Sequence, residues 1–202
     1  MKKIMKTLPI ALALSTSIAN ADTWSNIQLA NTLNTNSPAN YTRLEGGINT
    51  DNFSGYGFAD INPSTDYGEL RVNSKEDIVF GFKPNLEINI GEEMKDIVRL
   101  GLIKDFSLGE KGFGNIKLSP IELTDSGNGK KSQIEGFVSY DIGNKLNFEL
   151  LGNYNVENGK SYIEPTLHYK VVDDTTIFLR SRSFGEIDSL DSITTIGVRL
   201  SF

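Results

Sequence analysis

The chain has 202 residues, a net charge of −6 at neutral pH and no cysteine. Because nucleic-acid binding needs a basic surface and a disulfide scaffold needs cysteine pairs, the composition argues against both. The sequence is 38% apolar, yet after residue 21 it has no apolar run of the roughly 20 residues that a membrane-spanning helix requires.

The first 21 residues predict a signal peptide. A basic start that ends at Lys6 is followed by a mostly apolar stretch at 8–18 and by the small-residue triplet Ala-Asn-Ala at 19–21. The apolar stretch is too short to span a bilayer as a helix. We therefore expect cleavage before Asp22 and a single β-barrel domain over residues 22–202. Loss of the three leader lysines would lower the net charge from −6 to −9.

From residue 22 onward, apolar and polar residues alternate in segments separated by clusters of Asn, Asp, Gly and Lys. Alternation with a period of two predicts strands that have one apolar and one polar face. The weakest segment, 67–74, is counted as a strand because bacterial barrels have an even strand number and both termini in the periplasm. Twelve strands also leave about five residues per connection, a usual hairpin length, and ten strands is the alternative. The predicted strands are 23–34, 40–49, 52–61, 67–74, 78–90, 97–107, 113–124, 132–142, 145–156, 160–171, 174–184 and 191–202.

Three prolines fall inside these predicted strands, at positions 84, 120 and 165. Proline has no N–H to donate to the neighbouring strand, and a closed barrel has no free edge on which to accommodate it. We therefore expect a β-bulge at each of the three prolines.

The last eleven residues, 192–202, alternate up to the final Phe202. A strand that uses its last residue needs a pairing neighbour, as in a closed barrel. The stretch resembles the C-terminal signature of bacterial outer-membrane β-barrels, which the barrel-assembly machinery reads during insertion. The resemblance implies an all-β, transmembrane, antiparallel up-and-down barrel in contact with outer-membrane lipid. Aromatic residues expected at the two membrane interfaces are Trp24, Tyr140, Tyr154, Tyr169 and Phe202.

The polar faces of the predicted strands carry nine basic and eight acidic side chains. In a soluble periplasmic sandwich, which is the alternative fold, these charges would lie on the outer faces. In a barrel they face the lumen, where they either fill it with ion pairs or line a hydrated passage. We favour a passive channel for small polar solutes over a closed structural or surface-interaction barrel, with a lipid-modifying enzyme as the third hypothesis. The charged residues expected to line the passage are Arg43, Glu45, Arg71, Lys83, Glu87, Arg99, Glu135, Glu149, Glu164, Arg180, Arg182 and Arg199.

His168 is the single histidine of the chain. A hydrolase would need a serine and an acid beside it, and Ser161, Ser181 and Ser183 are the nearest serines on the predicted strands. A lone histidine on a polar strand face is more often a hydrogen-bonding wall residue, so we expect His168 to line the passage and the protein not to be an enzyme. One histidine and no cysteine provide no metal-ligand spacing, and no metal or cofactor is expected.

The stretch 52–60 reads Asn-Phe-Ser-Gly-Tyr-Gly-Phe-Ala-Asp. Aromatic residues spaced by Gly and Ala and followed by Asp resemble an early strand of the nucleoside-specific (Tsx-like) channel family. Members of that family are monomeric twelve-stranded barrels with a narrow passage. The resemblance implies a monomer, a nucleoside-like solute and solute contacts from Tyr56, Phe58 and Asp60, in which the aromatic rings stack on a base. These contacts require the three side chains to point into the lumen.

Overall fold

The computed structural model describes residues 22–33, 40–61, 67–91, 96–124, 127–129, 132–186 and 189–202. The predicted signal peptide, residues 1–21, lies outside the described residues. Among the described residues, no helix is long and apolar enough to cross a membrane. The strands are β1 (Asp22–Thr32), β2 (Asn40–Asn49), β3 (Phe53–Ile61), β4 (Tyr67–Ser74), β5 (Lys83–Gly91), β6 (Ile97–Ser107), β7 (Gly112–Thr124), β8 (Gly127–Gly129), β9 (Gln133–Asp141), β10 (Leu146–Asn155), β11 (Lys160–Val172), β12 (Thr175–Glu186) and β13 (Ser189–Ser201), and a 3₁₀ turn (Gly109–Lys111) precedes β7.

Twelve of these strands form a closed antiparallel up-and-down barrel. Each strand pairs with its neighbours in chain order, and β1 pairs with β13 to close the wall. The three-residue β8 pairs, among the described residues, with β7 alone, while β7 itself continues the wall by pairing with β9. The prediction of a twelve-stranded barrel, including strand 67–74, is confirmed.

Both ends of the described chain and five of its turns lie at one end of the barrel. The end that holds Asp22 and Phe202 carries the turns at 50–52, 75–82, 108–111, 142–145 and 173–174, and we call it the terminal rim. The opposite end, where β1 and β3 finish, is called the loop rim. Predicted and observed strand bounds agree closely except for the strand predicted at 78–90, which begins only at Lys83. The reason is a tight turn in which Phe80 and Gly81 have φ values of 49° and 77°, outside the extended region.

The distribution of burial is the reverse of that in a soluble protein. Outward-facing apolar side chains are widely exposed, for example Leu179 at 47% and Ile134 at 46%, whereas inward-facing polar residues such as Gln28 and Lys117 have no exposed surface. In a soluble sandwich the apolar face of each strand would be buried between two sheets. This pattern, together with the closed strand order, rules out the sandwich and fits a wall that meets lipid on its outer face.

Only one of the three predicted bulges is present. In the β6–β7 ladder Leu100 pairs with Ile121 but Leu102 pairs with Leu118, so β7 contains one extra residue next to Pro120. The register is unshifted at Pro84, which pairs with Leu102 near the start of β5, where a missing donor is tolerated. It is also unshifted at Pro165. On either side of this proline, Ile163 pairs with Ser183 and Thr166 pairs with Arg180, so both strands advance by three residues and neither has an extra one.

The bulge in β7 exchanges the two faces of that strand. Before it, the odd-numbered Lys117 and Ser119 point inward and are buried; after it, the even-numbered Glu122 does so, at 2% exposure. The neighbours Ile121 and Leu123 accordingly become outward-facing and exposed. A single extra residue therefore adds one carboxylate to the lumen.

Candidate functional site

Seven charged side chains from five strands form one ion-paired group, which we call the acid–base cluster. Arg71 lies opposite Glu87 across the β4–β5 ladder, Glu87 opposite Arg99, and Arg99 opposite Glu122. Residues directly opposite one another on adjacent strands are near enough for side-chain contact, so alternating signs along this row give an ion pair at each step. The cluster consists of Glu69, Arg71, Glu87, Arg99, Lys117, Glu122 and Glu135.

Contacts within the acid–base cluster run along the wall and across the lumen. Arg99 donates from Nε to Glu122 at 3.0 Å and also contacts Glu87. Lys117 contacts Glu87 and lies 3.2 Å from Glu135. Arg71 also pairs with Glu69.

The pair between Arg71 and Glu135 is the one that crosses the lumen. Arg71 on β4 donates two hydrogen bonds to Glu135 on β9, at 2.5 and 3.1 Å. Since β5, β6 and β7 separate these two strands in the wall, this bidentate pair bridges the interior.

A second group of charges lies on the other side of the barrel, and we call Arg180, Arg182, Glu164, Tyr41 and Tyr162 the arginine cluster. Arg182 donates to Glu164 at 2.7 Å, Arg180 lies 3.4 Å from the same carboxylate, and Tyr162 also donates to it. Arg180 on β12 further donates to Tyr41 on β2 at 3.1 Å and so reaches past β13 and β1. With two guanidinium groups and one carboxylate, the cluster carries an excess of positive charge.

Four aromatic rings follow one another along the inner wall, and we call Trp24, Tyr56, Phe58 and Tyr67 the aromatic line. Successive ring centroids are 5.9, 6.0 and 5.6 Å apart. Because Trp24 lies near the start of β1 and Tyr67 begins β4, the line runs from the terminal rim toward the loop rim. The sequence left open whether Tyr56 and Phe58 face the lumen or lipid; they face the lumen.

Trp24 corrects one expectation, because it is not an outward-facing interface residue. Its indole folds inward over Gly47, where an added Cβ would lie 2.5 Å from the indole nitrogen. Only glycine therefore leaves room for the ring at this point. The other aromatic residues expected at the membrane interfaces, including Tyr140, Tyr169 and Phe202 at the terminal rim, do face outward and are exposed.

Charged groups flank the aromatic line. Arg43 lies with its guanidinium 3.9 Å from the centroid of the Phe58 ring and donates to both carboxylate oxygens of Asp60, at 2.6 and 2.7 Å. Glu45 accepts a hydrogen bond from Tyr56 at 3.3 Å and lies 3.3 Å from Arg199, which reaches across β1 to pair with it. Bidentate pairing and a cation over a ring face both hold a guanidinium in a defined position.

The remaining predicted residues lie outside these groups. His168 shares a 2.9 Å hydrogen bond between its Nε2 and Glu149, and Ser161, Ser181 and Ser183 lie on the outward faces of β11 and β12. No serine therefore stands beside it on the inner face of these strands for nucleophilic catalysis. Lys83 pairs with the exposed Asp105 at 3.1 Å on the terminal rim. At the same rim Lys170 lies 3.0 Å from Asp173 and, through that hydrogen bond, lowers the pKa of the exposed carboxyl.

Sequence reasoning missed several residues of the site. Glu122 was missed because the alternation was continued unbroken through Pro120, although a bulge had been expected there. Tyr41 and Tyr162 share strand faces with Arg43 and Glu164, so the same alternation contained the signal for both. Gln28, which accepts a hydrogen bond from Arg180 at 3.4 Å, carries no charge and therefore gave no signal.

Solved structures of outer-membrane channels have the same architecture. The KdgM porin superposes with a TM-score of 0.64 at 12% identity, covering 88% of this chain and 99% of the porin, and has also been solved in complex with disordered oligogalacturonate. The NanC porin gives a TM-score of 0.63 at 12% identity, covering 86% of this chain and 98% of the porin. An outer-membrane channel from Pseudomonas putida F1 gives 0.53 at 6% identity, covering 92% and 97%.

At the level of sequence, no protein-family model and no curated protein matches the chain. The structural likeness, at low identity and over nearly the whole length of each neighbour, establishes the fold. The chain has the fold of bacterial outer-membrane β-barrels.

Proposed function

We propose that the protein is a monomeric outer-membrane channel through which small polar solutes diffuse passively. The observation that carries this proposal is the closed twelve-stranded wall, apolar and exposed outside, whose inner face holds ion-paired side chains that cross the lumen. In this proposal the barrel-assembly machinery inserts the chain, outer-membrane lipid surrounds it and the terminal rim faces the periplasm. No catalytic step is involved.

The constriction in this proposal is made of side chains. Twelve strands enclose more space than eight, which their own side chains fill, and less than the sixteen of wide porins. A polar solute passes by replacing, one after another, the hydrogen bonds of the acid–base and arginine clusters. The complex of the KdgM porin with oligogalacturonate supports passage of a polar solute through a barrel of this fold.

A nucleoside-like solute is the finer form of the proposal. The inward-facing rings of Tyr56 and Phe58 supply surfaces on which a base can stack, and Asp60 and Glu45 beside them can accept hydrogen bonds from sugar hydroxyls. Trp24, at 44% exposure, offers the most accessible ring of the aromatic line.

A closed barrel that anchors or presents surface loops is the second candidate. It is favoured by the burial of inward-facing side chains, since Gln28 and Lys117 have no exposed surface and Glu87 has 1%. Side chains packed this closely stop solute flow unless they rearrange. The two candidates therefore differ in one measurable property, the conductance of the inserted protein.

Planar-bilayer recording tests the proposal. The wild type is expected to conduct, and Arg180→Ala is expected to conduct more, because Arg180 spans from β12 to Tyr41 on β2. Lys104→Ala is the matched control: it removes a cation on the outward face of β6, where its Nζ donates to the Phe80 carbonyl, and should leave the conductance unchanged.

Insertion is checked by heat-modifiable migration on a gel. If the wild type and Arg180→Ala are both folded and inserted but neither conducts, the channel proposal is wrong and the closed barrel replaces it.

A further inference from the structure

The turn between β4 and β5 presents three consecutive apolar residues at the terminal rim. Ile78 is 64% exposed, Val79 45% and Phe80 86%, and the exposed fraction of Phe80 is the largest among the bulky apolar side chains of the described residues. We call Ile78, Val79 and Phe80 the apolar turn. Exposed aliphatic and aromatic side chains at a turn are unfavourable in water and indicate a partner surface.

The backbone holds the apolar turn in a tight hairpin. Ile78 donates its N–H to the carbonyl of Phe82, and Phe82 donates to the carbonyl of Val79, both at 2.8 Å. Phe80 has a φ of 49° and Gly81 a φ of 77°. Two consecutive positive φ values are typical of the type I′ turn, but a phenylalanine in the first position is disfavoured. The hairpin thus keeps Phe80 at its tip in spite of its backbone preference.

A lysine on the outer wall fixes the direction of the turn. Lys104 on β6 donates from Nζ to the carbonyl of Phe80 at 3.0 Å, and its Nζ lies 5.6 Å from the Phe82 ring centroid. Lys104 shares the outward face of β6 with Leu100 and Leu102. The apolar turn therefore leans over the outer, lipid-side face of the wall and away from the mouth of the lumen.

The apolar turn is continuous with the lipid-facing surface of the barrel. Phe82, one residue beyond it after Gly81, lies on the same face as Pro84 and Leu86. Outward-facing Tyr140, Tyr169 and Phe202 occupy the same rim. Aromatic side chains favour the interfacial zone of a bilayer, and a lysine with an apolar stem can extend its ammonium group to the phosphates.

We propose that the apolar turn inserts into the interfacial zone of the lipid leaflet next to the terminal rim, with Lys104 at the level of the phosphates. The inference rests on the proposed function only in requiring that the barrel spans a membrane. Its partner is the phospholipid interface. A soluble protein or a second copy of the chain would leave different signatures in the test below.

Tryptophan fluorescence in vesicles of brominated phosphatidylcholine tests the inference. In a Trp24→Phe background, which removes the one native tryptophan, Phe80→Trp is expected to emit at short wavelength. Lipids brominated near the carbonyl end of their acyl chains should quench it more strongly than lipids brominated near the methyl end.

Two further single-tryptophan variants act as controls, and heat-modifiable migration verifies the folding of all three. Glu110→Trp, on the polar turn of the same rim, is expected to emit at long wavelength with little quenching. Val198→Trp, on the outer wall of β13, is expected to be quenched by bromines at greater depth.

The outcomes separate the inference from the proposed function. If Phe80→Trp resembles Glu110→Trp while Val198→Trp is quenched, the turn lies in water and the inference is wrong although the barrel is in the bilayer. Short-wavelength emission from Phe80→Trp without quenching would indicate a protein partner and overturns it as well. If Val198→Trp is not quenched, the membrane position itself is wrong.

Discussion

Phe58 contacts both a charged group and two other aromatic rings of the lumen. Arg43 covers one face of its ring at 3.9 Å, and the rings of Tyr56 and Tyr67 lie on either side of it. A solute base that stacks on this line must therefore use the remaining ring surface or displace the guanidinium. A sugar without a base has no π-system for such base stacking.

Phe58→Leu keeps the apolar character of the position but removes the ring. If nucleosides stack there, the substitution removes about 1–3 kcal/mol of binding free energy per stacked base. The concentration of nucleoside that half-blocks the ion current should rise accordingly. Phe137→Leu is the matched control, since Phe137 is an inward-facing ring that pairs with Phe113 outside the aromatic line. An equal effect of the two substitutions, or an equal effect on block by simple sugars, would contradict nucleoside stacking.

At the scale of the strand, the bulge beside Pro120 decides which face of β7 meets lipid. It turns Glu122 inward to Arg99, at 3.0 Å, and turns Ile121 and Leu123 outward. Deletion of Pro120 should restore simple alternation and leave Glu122 inward, because the inward-facing Ser119 is then followed by Ile121 facing outward and Glu122 facing inward. Glu122→Ala keeps the bulge but leaves Arg99 with one partner fewer. Removing one partner of a buried ion pair costs about 3–5 kcal/mol.

The free energy of unfolding, measured by urea titration in vesicles, is therefore expected to fall by about 3 kcal/mol or more on Glu122→Ala. Pro120→Ala keeps the bulge and deletion of Pro120 keeps Glu122 inward, so both serve as controls with a change below about 1 kcal/mol. A deletion variant as unstable as Glu122→Ala would mean that Glu122 leaves its inward position once the extra residue is removed.

The sequence was sufficient for the strands because period-two alternation is a local pattern. It predicted even the weak strand β4 with its observed bounds. It was insufficient at the apolar turn, where Ile78, Phe80 and Phe82 alternate like a strand although positive φ values reverse the chain. It also could not predict the pairing of Arg71 with Glu135, because a contact across the lumen depends on the register of the whole wall.

For the whole molecule, the balance of inward-facing charge predicts weak ion selectivity. The acid–base cluster holds three basic and four acidic side chains, the arginine cluster has an excess of positive charge, and Arg43 and Arg199 are matched by Asp60 and Glu45. The lumen is thus nearly neutral although the chain has a net charge of −6.

In a KCl gradient across a planar bilayer, the reversal potential of the wild type is accordingly expected to lie near zero. Arg182→Gln removes a positive charge beside Glu164 and should shift the channel toward cations, whereas Glu69→Gln removes a negative charge beside Arg71 and should shift it toward anions. The two variants control for each other. Each replaces a part-buried charged residue of the wall by a neutral one, and the selectivity shifts expected from them have opposite signs. Strong cation selectivity of the wild type, unaltered by either variant, would mean that acidic groups outside the lumen govern permeation, since fields from the rims act on ions before they enter the barrel.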